Sequence, residues 1–340
     1  SGQPYGGSVT DLPDATARWN DARARTLRHV EVRGPLPVEV TCPQTQVTFS
    51  TSKGTVPKQA KFACQSETCG RQAAIVDSVG ATGKTAPMAV YAIQGYCPEC
   101  DKEGRVYSGR FFAAPSESAP LNAAIAEWHT RMDKDLRSWW PRSAIPFGHM
   151  THQRQPLPQH GYLRWSDMFN PRQLLALSQL FRTIVETEGF SWSAREYVLG
   201  AFQNYLRNQN MFCFWHRTHD HFVPHLSNNN FHPKSTVIEM GGTIPLGYGA
   251  WKTTAASLID AIVWRNNPWE GLPVVALQAK APALAKQIKS KAVKLFPQDS
   301  FASQPEVACG SSSELGLHAD GIFDLVITDP PFGGLLHYSE

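Results

Sequence analysis

The 340 residues are 42% hydrophobic and 18% charged, enough to bury a sizeable core in two or three domains and too apolar for a disordered chain. The net charge of +3 is compatible with nucleic-acid binding but does not argue for it, because a local patch decides that. No apolar run approaches the roughly 20 residues that span a bilayer, and Ser1 to Thr10 do not read as a signal peptide, so a cytoplasmic, non-membrane protein is expected.

Residues 1–60 predict one helix, capped by Asp11 or Asp14 and running through Trp19 toward Leu27, then short strands. The strands are read from loose alternation at Val30, Val32, Leu36, Val38, Val40, Val47 and Phe49, broken by Gly and Pro. Residues 61–106 carry two cysteine pairs, Cys64-x4-Cys69 and Cys97-x2-Cys100, each in a knuckle-like turn. Ala74–Val76 and Ala89–Ile93 read as strands between them. Two knuckles on adjacent hairpins bring four thiolates to the corners of a tetrahedron, which predicts a closed, structural zinc ribbon. Two disulfides would need an exporting context, and a redox Cys-x-x-Cys leaves the matched second pair unexplained. Cys42 is not taken as a ligand; Cys213 and Cys309 stand among apolar neighbours and read as buried thiols. Lys58, Lys61, Arg71, Lys84, Lys102 and Arg105 give the ribbon a basic flank, either a nucleic-acid contact or a plain solvated surface.

Residues 107–235 predict a helical region with a connector. Pro120 opens a helix that runs to Trp139, with an apolar stripe of Leu121, Ile125, Trp128, Met132 and Leu136. The stretch 141–160, rich in Pro, His and Gln, reads as a packed irregular linker, or as a channel lined by Arg142, His149, His152 and Arg154. Asn170 and Pro171 are cap and first residue of a helix to about Glu188 whose apolar face is Leu174, Leu177, Phe181 and Ile184. Ser193 with Glu196 predicts a capping box for a second helix, completing a helical hairpin. His216, His219, His221, His225 and His232 fall in a loop and are not read as a metal site.

Residues 236–340 predict a strand at Val237–Met240, a Gly-rich loop, a helix over about Thr254–Trp264 and a lysine-rich helix from Pro282 to Leu295. Glu306–Cys309 reads as a strand followed by Gly310 and Ser311. Phe323–Thr328 reads as a short, fully buried strand, an apolar run rich in β-branched residues and halted by two prolines. Asp329 sits where that strand stops, the place where open α/β sheets bind ligands. Pro330 and Pro331 stiffen the turn and leave carbonyls free. Phe332 offers a flat apolar face. Together they suit a planar ligand with an amino group: its protons go to Asp329 and the Pro330 carbonyl, and its ring stacks on Phe332.

The Asp329-Pro330-Pro331-Phe332 run resembles the catalytic tetrapeptide of the amino-methyltransferases that act on adenine or cytosine in nucleic acid. A longer likeness runs over residues 60 to 340. The order of features resembles large adenine-specific DNA methylases with an internal zinc ribbon. In those, an Arg-Trp-x-Asp-x-Phe-x-x-Arg-Gln-Leu segment follows the ribbon, here Arg164 to Leu174, and a Tyr-Ser-Glu follows the tetrapeptide, here Tyr338 to Glu340. The resemblance implies a mixed α/β fold, a partial Rossmann-like methyltransferase sheet with an inserted zinc ribbon and a helical region. It implies S-adenosylmethionine and zinc as cofactors, a flipped DNA base as substrate, and restriction or defence proteins as further partners. Gly310 and Ser311 would then lie against the cofactor's adenine, where the family often has an acidic residue. The family's (Phe/Pro)-x-Gly-x-Gly cofactor loop is not found, and the chain neither begins with Met nor extends far past the motif. It is therefore expected to be a segment of a longer protein. An RNA or protein-glutamine amino-methyltransferase and a non-catalytic nucleic-acid-binding module are the two rival readings.

Overall fold

Gly and Pro breaks cut the first third of the chain into short strands, as expected. The computed structural model describes residues 30–42, 46–52, 61–64, 68–85, 87–105, 107–115, 119–154, 156–216, 221–224, 237–240, 249–266, 269–270, 293–294 and 323–328. The protein is mixed α/β, with small sheets and several helices. It divides into two units, Ser1–Thr254 and Ala255–Ser339. The N-terminal helix expected over 11–27 lies outside the described residues.

In the first unit, strand β1 is Val32–Arg33, β2 Glu39–Thr41, β3 Thr48–Ser50, β4 Lys61–Ala63 and β5 Gln72–Ala74. After helix α1 (Ile75–Thr82) come β6 (Ile93–Tyr96), the short helix α2 (Pro98–Lys102) and β7 (Arg110–Ala113). β2–β3 and β4–β5 are antiparallel pairs. β7 is the centre of a three-stranded sheet, antiparallel to β6 and parallel to β1.

Two expected strands need correction here. Ala74 ends β5, but Ile75 and Val76 open α1, because Asp77 in the first turn and Gly83 as a left-handed C-cap bracket a helix. Of Ala89–Ile93 only Ile93 is in a strand. It faces Ala113, the last residue of β7, so residues before it have no ladder partner there.

Helix α3 is Ala119–Arg131. It stops short of the expected Trp139. Successive turns follow, with the Leu136 N–H donating to the Arg131 carbonyl at 3.2 Å and Trp139 to Leu136 at 2.9 Å. Arg131, the last residue of the helix, pairs with Glu127 at 2.7 Å and with Asp135 at 2.6 Å. The turns swing Leu136, fully buried, against Trp128, Leu174 and Leu175.

The connector is packed. Ala144 bridges Arg164, His149–Arg154 form a wide π-type turn and Leu157–His160 a 3-10 turn. Ile145, Met150, Leu157, Tyr162, Met168 and Phe212 make one buried cluster from it.

Helix α4 (Pro171–Glu186) begins as the sequence predicts: the Asn170 side chain accepts the Gln173 N–H at 2.9 Å, and Gln173 reciprocates at 3.0 Å. Helix α5 (Trp192–Leu206) is capped by Ser191, which accepts the Ala194 N–H at 3.2 Å, so the expected Ser193–Glu196 box is corrected. The residue flanking Trp192 with extended backbone is Ser191; Ser193 is already helical. Arg195 donates to the Val185 and Thr187 carbonyls, closing the end of α4.

The hairpin of β8 (Phe214–His216) and β9 (His221–Val223) places His216 opposite His221. The other three histidines lie outside the described residues. Val237–Met240 is not a strand. A backbone bond from Ile238 N–H to the Cys213 carbonyl at 3.1 Å ties it down, and Glu239 is engaged with Arg172. Cys213 is fully buried, as expected; Cys309 is outside the described residues.

Helix α6 (Trp251–Asn266) crosses into the second unit and is longer than expected. Within that unit β10 (Trp269–Glu270) pairs with β11 (Val293–Lys294). Val293 and Lys294 therefore correct the end of the expected lysine-rich helix; the rest of it, and Glu306–Cys309, lie outside the described residues. Phe323–Thr328 is neither a strand nor buried: Leu325 is 74% exposed, Val326 67% and Ile327 84%. A near-continuous apolar run is buried as a strand only between neighbouring strands in a covered sheet. Among the described residues no strand pairs with it.

Candidate functional site

The cysteine pairs are the expected site residues that the structure describes. Cys64 follows β4, its N–H donating to the Arg71 carbonyl at 2.8 Å across the hairpin, and Cys69 is exposed in the same turn region. The Cys97–Cys100 knuckle is more closely built. Cys97 caps α2, its sulfur accepting the Cys100 N–H at 3.4 Å. Pro98 is the first helical residue, where a missing N–H costs nothing. Cys97 N–H donates to the Gly109 carbonyl at 2.8 Å, which fastens the knuckle to the entry of β7. Gly109 has φ of +69°, and a Cβ there would strike the Cys97 carbonyl and Asp101.

A cation sits on this knuckle. Arg33 Nη2 donates to Cys100 Sγ at 3.1 Å. Its guanidinium lies over the Phe111 ring, 3.8 Å from the centroid. Phe111 faces Gly95 across the β6–β7 ladder, and a Cβ on Gly95 would lie within 2.8 Å of three ring carbons. The order is therefore Gly95, Phe111 ring, Arg33, Cys100. Glu31 fixes the guanidinium from behind, accepting Arg33 Nε at 2.8 Å and Arg105 Nη1 at 3.1 Å. Those two arginines hold the Glu31 carboxyl below its usual range, Arg33 first.

The two thiols differ. Hydrogen bonds from Cys100, by side chain and then by backbone, hold the Cys97 thiol below its ordinary value, and Arg33 adds to this. The Cys100 thiol, donating to Cys97 and partly desolvated, is pushed up.

The Cys97–Cys100 knuckle fits a thiophilic metal as two of its ligands: two thiols, a backbone N–H aimed at one sulfur and a cation to offset their charge. Cys64 and Cys69 supply the same donors on the β4–β5 hairpin. Among the described residues no three Cys, His, Asp or Glu side chains come together to hold a metal ion.

Asp329, Pro330, Pro331 and Phe332, and Gly310 and Ser311, lie outside the described residues. The Arg164–Leu174 segment is described in full, and its side chains do structural work. Asp167 accepts the N–H groups of Leu163 and Arg164 at 2.8 and 2.7 Å. Arg164 donates to the Arg142 carbonyl at 2.9 Å. Phe169 packs against all three buried clusters of the helical region. Arg172 forks onto Glu239 at 3.1 and 2.5 Å, with Asn170 Nδ2 on the same carboxylate at 2.8 Å.

Of the proposed channel residues, Arg142 pairs with Asp133 at 3.4 Å and lies 5.0 Å from the Trp140 ring centroid, and Thr151 bonds His152 at 2.9 Å. His149 bonds Gln153 at 2.9 Å. These contacts favour the packed-linker reading. A cleft of about 370 Å³ opens between α1 and the Leu157–His160 turn, lined by Val76, Asp77, Val79, Gly80, Pro158 and Leu163 among others. It holds none of the expected site residues.

Sequence reasoning missed Glu31, Arg33, Gly95 and Phe111. Gly109, followed by Arg110 and two phenylalanines, was a readable signal of a turn into a strand. Nothing local marks Arg33 as a neighbour of Cys100. No family model matches the chain, and no curated protein and no solved structure matches it.

Proposed function

We propose that this chain is a segment of an S-adenosylmethionine-dependent amino-methyltransferase acting on a nucleic-acid base, adenine in DNA being the substrate its residues suit best. The observation that carries the reading is Asp329-Pro330-Pro331-Phe332 directly after the apolar Phe323–Thr328 run, joined in one chain to the Arg164–Leu174 segment. On this reading the Asp324–Thr328 run becomes a strand of a Rossmann-like sheet when its neighbours are in place. S-adenosylmethionine supplies an electrophilic methyl group.

The residues act by position. A base leaves the stack and lies on Phe332. Its amino protons are held by the Asp329 carboxylate and the Pro330 carbonyl. Those bonds aim the nitrogen lone pair, and the carboxylate stabilises charge that develops on the nitrogen. The four cysteines form a structural zinc ribbon when the metal draws the two pairs together, since metal binding and folding are coupled in such units.

The test uses the longest natural polypeptide containing these residues. Transfer of labelled methyl to adenine in duplex DNA is expected, and Asp329→Ala is expected to abolish it with circular dichroism unchanged. Transfer that survives the substitution overturns the assignment.

The exposed Leu325–Ile327 run favours a second reading, a zinc-dependent nucleic-acid-binding module without catalysis. Calorimetry separates them: the module binds DNA but not S-adenosylmethionine.

A further inference from the structure

We propose that Arg33 is the charge-compensating partner of the Cys97–Cys100 thiolates, and that metal loading through this contact locks β1 into the ribbon sheet. This rests on the zinc-ribbon reading.

The physical case starts from charge. Zinc held by four thiolates carries a net double negative charge, and donors to sulfur relieve it. Backbone N–H groups do part of this, as the Cys100 N–H does for Cys97. A guanidinium does it with a full charge, permanently, because arginine does not deprotonate in proteins.

Arg33 is built into that position and not merely near it. Its Nη2 reaches Cys100 Sγ at 3.1 Å. The Phe111 ring supports its face at 3.8 Å, and Glu31 holds its Nε at 2.8 Å. The space for the ring exists because residue 95 is glycine. Three contacts of different kinds fix one side chain.

The link to the sheet is equally direct. Arg33 is the last residue of β1 and pairs with Ala113; the Phe112 N–H donates to the Glu31 carbonyl at 2.8 Å. β1 is two residues long and lies at the sheet edge, so its ladder alone is weak. With zinc held at Cys100, the Arg33 contact joins the metal knuckle to β1 and holds the strand in register. By linkage, the paired strand strengthens metal binding to the same degree.

The experiment compares the full chain loaded with zinc, as wild type, Arg33→Gln and Arg33→Lys. Zinc affinity is read by competition with a chromophoric chelator. Cobalt-substituted samples report the sulfur-to-metal charge-transfer band, and hydrogen exchange reports the Phe112 amide. Arg33→Gln is expected to weaken zinc binding about 10- to 100-fold, shift the band and speed Phe112 exchange. Arg33→Lys keeps the charge without the fork and recovers part of all three. Should Arg33→Gln fail to fold, Arg33→Lys and wild type carry the comparison, with a shifted band in the lysine variant the supporting result. Equal affinity and an unmoved band in a folded variant overturn the role of Arg33 while the ribbon stands. A wild type that takes up no zinc overturns the ribbon and this role together.

Discussion

Arg33 donates to Cys100 Sγ at 3.1 Å across a sequence separation of 67 residues. The contact joins a two-residue parallel edge strand to a cysteine knuckle, and the aromatic ring under the Arg33 guanidinium rests on a glycine. Each part depends on the one below it, so a change at the bottom of the stack reaches the sulfur at the top.

Gly95→Ala tests that order. The new methyl would occupy the space of the Phe111 ring, and neither β6 nor β7 can move away without losing the ladder between them. Overpacking of this kind costs about 1–3 kcal/mol. Urea unfolding should show a loss in that range, and Arg33 should lose its face contact. A Gly95→Ala protein as stable as wild type means that the ring lies elsewhere.

Phe169 is the residue on which the three buried clusters of the helical region converge. Phe169→Ala should cost about 3–5 kcal/mol, with cavity and transfer terms added. Arg172→Ala should cost less, about 1–3 kcal/mol, by leaving Glu239 with Asn170 alone. A double-mutant cycle with Glu239→Gln measures their coupling. Independent effects at the two positions would contradict the fork seen between them.

Much of this region was legible. Asn170, Pro171 and Gln173 encode a helix start whose hydrogen bonds are entirely local, so the sequence pattern and the structure agree. The connector was legible only as packed and irregular, because its core partner Phe212 lies far along the chain. The pattern over 120–139 misled in one respect. A helical stripe and a helix followed by turns both bring Trp128 and Leu136 inward, so apolar spacing does not distinguish them. The cysteine pairs announced themselves by spacing, whereas Arg33 is fixed by pairing between β1 and β7, which no local signal carries.

His160 provides a pH test. Burial holds its imidazole below the ordinary value of 6.5, so the folded state binds protons less readily than the unfolded chain. The stability this contributes is complete above that value and is lost as pH falls through the folded-state value. Unfolding midpoints should be flat above about pH 7 and fall as the solution is acidified below about pH 6.5. His160→Gln should remove that part of the slope and leave the carboxylate-driven loss at lower pH. A slope unchanged by the substitution means the histidine is as solvated in the folded protein as in the unfolded one.

Ile327 decides how the Phe323–Thr328 run stands in this chain. In the structure its side chain is 84% exposed, between Val326 at 67% and the residues leading to Asp329. A surface substitution away from caps, cores and networks usually changes stability by less than about 0.5 kcal/mol. Ile327→Asp is therefore expected to leave the urea midpoint of this chain unchanged. In a longer polypeptide where the run is a central sheet strand, the same carboxylate would be buried without a partner. There it should destabilise by several kcal/mol, or the side chain should stay protonated at neutral pH. The pair of measurements separates two states of one segment. Loss of stability in this chain alone would show that the run is already paired here. No loss in either polypeptide would remove the strand, and with it the placement of Asp329 at a sheet's carboxyl edge.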